Sequence, residues 1–209
     1  MSKRQKRGCV LVLMGLVMVL IAMGMHLMQE RQDQLAGENV RALLAQMELS
    51  RRSYTGNAQT ENGKQSEQKT DETSAEAAKM PSQTYLGYSV IGIVRVPAVG
   101  IELPVLSDWS YDLLDIAPCR YSGSIETQDL ILLGHNYKSH FTPLHQAAVG
   151  DTVELEDING ITYHYVIEEI EYLYKNEGER LPSSYALSIF TCTPGGQNRL
   201  VLRCSQCEN

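Results

Sequence analysis

An all-β domain of short strands, preceded by one membrane-spanning helix, is the architecture this sequence predicts. Three observations carry that expectation. From residue 88 onward, runs rich in Val, Ile, Leu and Tyr recur at short spacing, separated by Gly, Pro, Asn and Asp. About seven or eight such runs with few helices indicate a barrel or sandwich. At the other end, a basic cluster (Lys3, Arg4, Lys6, Arg7) precedes an uncharged apolar run from residue 8 to about residue 28. About 20 apolar residues suffice to cross a hydrocarbon core. Between these two parts, residues 50–83 are dominated by Ser, Thr, Gln, Asn, Glu and Lys, a composition that buries too little apolar surface to offset ordering entropy.

The 209 residues thus divide into a cytoplasmic basic N-terminus (1–7), an anchor (8–29), a juxtamembrane stalk and disordered linker (30–83) and an exported domain (84–209). The basic flank sets the topology by the positive-inside rule and meets anionic headgroups. The apolar run is long for a signal-peptide core, and Met25-His26-Leu27-Met28 lacks a small-x-small cleavage site, so the span is read as retained. In the stalk, Leu35, Val40, Leu43, Leu44 and Met47 form a thin apolar stripe, read as a helical spacer. The net charge of −7 gives no reason to expect a nucleic-acid partner.

Within the domain, residues 88–96 form a β-branched strand ended by Pro97. A second strand, 101–106, contains Pro104, which suits an edge or a bulge. Residues 110–116 suit a helical turn, and 129–133 a buried strand. Residues 142–148 suit a short helix with Thr142 as N-cap and Pro143 at its first position. Residues 152–156 and 161–174 pair as a hairpin about Asn159-Gly160, which favours a tight turn. The last strands are 186–192 and 199–204.

The chemistry gathers at strand ends. Cys192 closes one strand before Thr193-Pro194, and Arg199 opens the next. His135 follows an apolar strand in Leu132-Leu133-Gly134-His135-Asn136. A thiol, an imidazole and a fixed cation are the parts needed to cleave and remake an acyl bond. His26, His140, His145 and His164 lack that placement. Alternation puts Arg199, Val201 and Arg203 on one face. Arg199 lies nearer the Cys192 end, whereas Arg203 suits a salt bridge with Glu168, Glu169 or Glu171. Asn136 suits either a turn or the orienting of His135. Thr191, before the cysteine, suits either strand propensity or the shaping of a substrate site. Cys119–Cys204 is one bridge the sequence allows, and Cys204-Ser205-Gln206-Cys207 has half-site spacing with no second pair to complete it.

Taken together, a strand ending Thr191-Cys192, a following strand opening on Arg199, and an upstream Gly134-His135-Asn136 resemble a sortase over about residues 85–204. The resemblance implies a closed eight-stranded barrel on a membrane-anchored cysteine transpeptidase of a Gram-positive cell. It assigns Cys192 as nucleophile, His135 as acid–base partner, Arg199 as holder of the oxyanion and Thr191 to the substrate side. It implies partners of two kinds: secreted proteins bearing a C-terminal Leu-Pro-x-Thr-Gly-type motif, and an amine from a peptidoglycan precursor or a pilin lysine. No cofactor is expected. The calcium site of part of the family needs clustered acids, for which Glu168, Glu169 and Glu171 offer composition only. The Asp-Pro-aromatic plug of many pilin-polymerising members is missing from the sequence. The alternatives are a tethered β-barrel scaffold with structural thiols, in which Cys192 is bridged, and a cysteine hydrolase.

Overall fold

A computed structural model describes residues 3–57 and 80–207, with side chains for 13–52 and 80–207. Most of the expected linker therefore lies outside the described residues. The chain divides into two compact units, Met1–Leu35 and Ala36–Asn209. The first is helical throughout its described length, as the opening part of α1 (Lys3–Asn57). Apart from His26, its residues from Leu13 to Met28 carry no ionisable side chain, and all are exposed; the helix is long and apolar enough to cross a membrane.

The second unit is the barrel. Its strands are β1 (Gln83–Tyr85), β2 (Tyr88–Val96), β3 (Ile101–Leu106), β4 (Cys119–Ser122), β5 (Leu130–Gly134), β6 (Thr152–Asp157), β7 (Thr162–Tyr174), β8 (Leu187–Cys192) and β9 (Asn198–Gln206). They form one 9-stranded sheet in the order β1-β2-β3-β4-β5-β8-β9-β7-β6, with β6 also pairing β2. Pairing of Gly92–Arg95 with Glu154–Asp157 closes the ring. Since β1 pairs only with β2, the other eight strands make a closed barrel, the strand number expected from the sequence. The predicted strands are all present. Two strands have no counterpart in the sequence reading, β1 with 3 residues and β4 with the 4 residues Cys119-Arg120-Tyr121-Ser122, both too short to show alternation. Pro104 sits in β3 opposite Ile93, where β4 touches β3 only at Leu106↔Cys119. That leaves β3 the partly unpaired edge a proline requires.

One local expectation is corrected. Residues Thr142–Gln146 form a 3-10 turn with Phe141, not Thr142, at the N-cap position. The Thr142 hydroxyl donates instead to Asn136 Oδ1 (2.9 Å).

Val94, Val96, Leu130, Leu132, Leu155, Ile167, Leu187, Ile189, Leu200 and Leu202 are all buried in the main core cluster. The spacer reading of residues 30–48 misses a second covering layer. Ala36, Val40, Leu43 and Met47 on α1 are buried, and the last three of these join the same cluster. Their helical spacing puts them on one face. Met47 lines a pocket with Tyr85 and Ile93, and Arg51 binds Glu156, which also pairs with Arg95 at 2.8 Å.

The β2–β6 seam depends on Gly92. A Cβ there would lie 2.2 Å from the Glu156 carbonyl oxygen, and backbone on both sides cannot yield. Gly92→Ala is expected to destabilise the fold by about 2–3 kcal/mol, lowering the melting temperature by roughly 5–10 °C. Thermal unfolding followed by circular dichroism checks this.

Candidate active site

Cys192 and Arg199 face each other as the last register pair of the antiparallel β8–β9 ladder. The connection is short because Gly195 and Gly196 adopt φ of 83° and 69°, a region open to glycine at little cost. Gly196 N–H donates to Thr193 O (2.8 Å) and Thr193 N–H to Asn198 O (2.9 Å). Across this turn Arg199 Nη1 donates to Cys192 Sγ at 3.4 Å. Cys192 is half-buried and unbridged, contrary to what the scaffold alternative requires.

His135 comes to the same edge through a parallel pairing. β5 and β8 run side by side from Leu130↔Leu187 to Gly134↔Thr191, so the next residues in register are His135 and Cys192. Thr191, the substrate-side candidate, is fully buried. Its hydroxyl donates to Gly134 O (2.8 Å), tying β8 to β5 one residue before the imidazole and the thiol. Gly134 is required by the Phe141 ring, whose edge lies 2.3 Å from where a Cβ would stand.

The surroundings of His135 include two residues that sequence reasoning missed. Asp115, just past α2 (Tyr111–Leu114), brings Oδ1 to 3.5 Å from His135 Nε2. Tyr137 donates its hydroxyl to the same Oδ1 (2.7 Å), and its ring lies 4.7 Å from the imidazole, tilted by 34°. Burial pushes the His135 imidazole below the ordinary histidine value, and the Asp115 carboxylate partly opposes that shift. Tyr137 is two residues beyond His135, but nothing local in the sequence links either residue to Asp115.

The two arginines share a face as alternation predicts, yet differ in setting. Arg203 is 2% exposed and donates to Glu171 Oε1 (2.7 Å), Leu181 O (2.5 Å), Ser188 Oγ (3.0 Å) and Arg180 O (2.6 Å). Every stem of its fork is thereby occupied. Beside these polar groups lies a second apolar cluster of Ile131, Leu173, Leu181, Phe190 and Val201, joined by Tyr121 and Leu133. Phe190 shares the strand face of Cys192 and meets Tyr121 edge-on at 5.5 Å. Tyr121 in turn contacts Trp109 at 5.5 Å. A chain of rings thus leads from Phe190 beside the thiol's strand to Trp109, which is exposed.

Among the described residues no group of three or more His, Cys, Asp or Glu side chains could hold a metal. Glu171 is paired with Arg203 and Arg180, and Glu169 accepts from Tyr185 (3.2 Å). Cys119 and Cys204 are buried and unbridged, their thiols pushed up to about 12 chiefly by burial.

A closed barrel carrying Cys, His and Arg together at its strand ends places the protein in the class of sortase-fold proteins. A family model for the sortase domain matches residues 94–207, and the chain belongs to that family. Among solved structures it is similar to sortase C1 from Streptococcus agalactiae, with 25% identity and a TM-score of 0.51 over 56% of this chain and 67% of that one. It is similar also to sortase C1 from Streptococcus suis, with 24% identity and a TM-score of 0.51 over 57% and 74%. A third is sortase C from Clostridium perfringens with the C-terminal cell wall sorting motif, with 21% identity and a TM-score of 0.51 over 57% and 71%. No curated protein matches the chain.

Proposed function

We propose that this sortase is a membrane-anchored cysteine transpeptidase that cleaves a C-terminal Leu-Pro-x-Thr-Gly-type motif and joins the protein to an amine of the cell wall. The observation that carries this reading is the Arg199–Cys192 contact at the end of the parallel β5–β8 pair that brings in His135.

Cys192 Sγ attacks the Thr carbonyl carbon, and Arg199 holds the resulting oxyanion with a fixed, forked charge. His135, as imidazolium, protonates the departing Gly amine while the C–N bond breaks and a thioester remains. An acceptor amine, from a peptidoglycan precursor or a pilin lysine, attacks the thioester. His135 takes its proton, and the thiolate leaves. The exposed ring of Trp109, at the end of that chain of rings, suits the Leu and Pro side chains of the motif.

The apolar N-terminal helix serves as the anchor in the cell membrane, with residues 1–7 cytoplasmic and the barrel on the outer face of a Gram-positive cell. Confinement to one layer raises the effective concentration of enzyme, membrane-retained substrate and acceptor.

The test is incubation of the full chain in detergent with motif peptides, with and without a glycine-type amine, read by intact mass. A thioester adduct on the protein and an amide-joined product support the reading. Peptide released to water alone, with amine present, identifies a hydrolase. No adduct with any motif sinks the proposed substrate class.

A further inference from the structure

We propose that Asp115 and Tyr137 are positioning residues for His135, acting as a carboxylate–phenol pair that holds the imidazole and favours its charged form. The inference rests on the acid–base role given to His135 above. Three contacts carry it. Asp115 Oδ1 stands at ion-pair distance from His135 Nε2 (3.5 Å). The same oxygen accepts the Tyr137 hydroxyl (2.7 Å), which fixes the carboxylate on the imidazole side. The Tyr137 ring packs along the imidazole (4.7 Å between centroids), restricting ring rotation.

The arrangement has a chemical consequence. With Nε2 turned to Asp115, Nδ1 is the nitrogen left to exchange a proton with the reacting groups, and a carboxylate on the far nitrogen fixes which one does so. The partners come from separate elements: Asp115 from the end of α2, held by the Ser110 cap on Leu113 N–H (3.1 Å), and Tyr137 from the loop after β5. The charged and titratable groups around the imidazole are Asp115 and Tyr137, His140 behind Tyr137 at 5.4 Å, and Cys192 with Arg199 on the neighbouring strands. The Asp115 carboxylate favours a proton on the imidazole, against the effect of burial. The Asp115 side chain is 59% exposed and that of His135 is 30% exposed, so the effect is moderated by solvent.

The test uses the full chain in detergent micelles with 13C-labelled histidine. The His135 Cε1–H resonance is assigned by its loss in His135→Gln and titrated without substrate. In Asp115→Asn the midpoint is expected at lower pH than in wild type, because the opposing carboxylate charge is gone. Tyr137→Phe moves it less in the same direction, and Asp115→Glu restores it in part. With motif peptide, kcat/KM of Asp115→Asn falls roughly fivefold with little change in KM. An unchanged His135 midpoint in Asp115→Asn overturns the proposal, whatever the activity. Full turnover by His135→Gln would instead sink the acid–base reading itself, and the positioning role with it.

Discussion

Cys192→Ala loses at least about four orders of magnitude in turnover of a motif peptide, while melting at the wild-type temperature. The size of the loss follows from the neighbourhood. Thr191, the adjacent hydroxyl, is buried and committed to Gly134 O, so it cannot substitute. Cys119 and Cys204 are inside the barrel with thiols pushed up to about 12. Cys207 is exposed but lies beyond the end of β9 opposite to Arg199. Stability is spared because Cys192 is half-buried and its side chain receives one long hydrogen bond. Peptide turnover and a thermal melt on the same preparation check both halves. Residual turnover within a hundredfold of wild type would remove Cys192 from the nucleophile role.

Arg203→Ala and Arg199→Ala are expected to fail in opposite ways. Removing Arg203 strips the donors from Glu171 Oε1, Leu181 O, Ser188 Oγ and Arg180 O at once. Glu171 retains only Arg180, and its own side chain is 16% exposed. Breaking one side of a buried ion pair costs about 3–5 kcal/mol, a large share of the ~5–15 kcal/mol that holds a domain together. Arg199, at the strand end, contacts the thiol and little else that matters for folding. Its loss should change stability by less than about 1 kcal/mol and lower kcat by roughly a hundredfold to a thousandfold. Thermal melts and kinetics on the pair decide the assignment. If Arg203→Ala melted normally and Arg199→Ala unfolded, the roles of the two would be exchanged.

The sequence showed some parts of this site and concealed others, for physical reasons. Cys192 and Arg199 were legible because they sit on consecutive strands joined by a short Gly-rich turn, where alternation alone pairs strand ends. His135 was legible only through its position after an apolar strand and the family pattern. Its neighbour β8 lies 57 positions away at the Thr191–Gly134 bond, and parallel pairing leaves no turn to mark it. The contact of Asp115 with His135 was hidden because a helix C-cap and a residue just past a strand share no periodic pattern that would join them. The packing of α1 on the barrel did leave a trace. Val90-Ile91-Gly92-Ile93-Val94 does not alternate, and all five residues are buried. A strand covered on both faces reads that way, and Met47 beside Ile93 supplies cover. β4 was missed because a 4-residue strand is shorter than the pattern that would reveal it.

The burial of Val40, Leu43 and Met47 changes what the helix is to the barrel. Arg51 bound to Glu156 and the buried Met80 belong to the same compact unit as those three side chains. A protein cut back to the strands alone therefore bares core surface that the helix covers, at about 25 cal/mol for each Å² of apolar area returned to water.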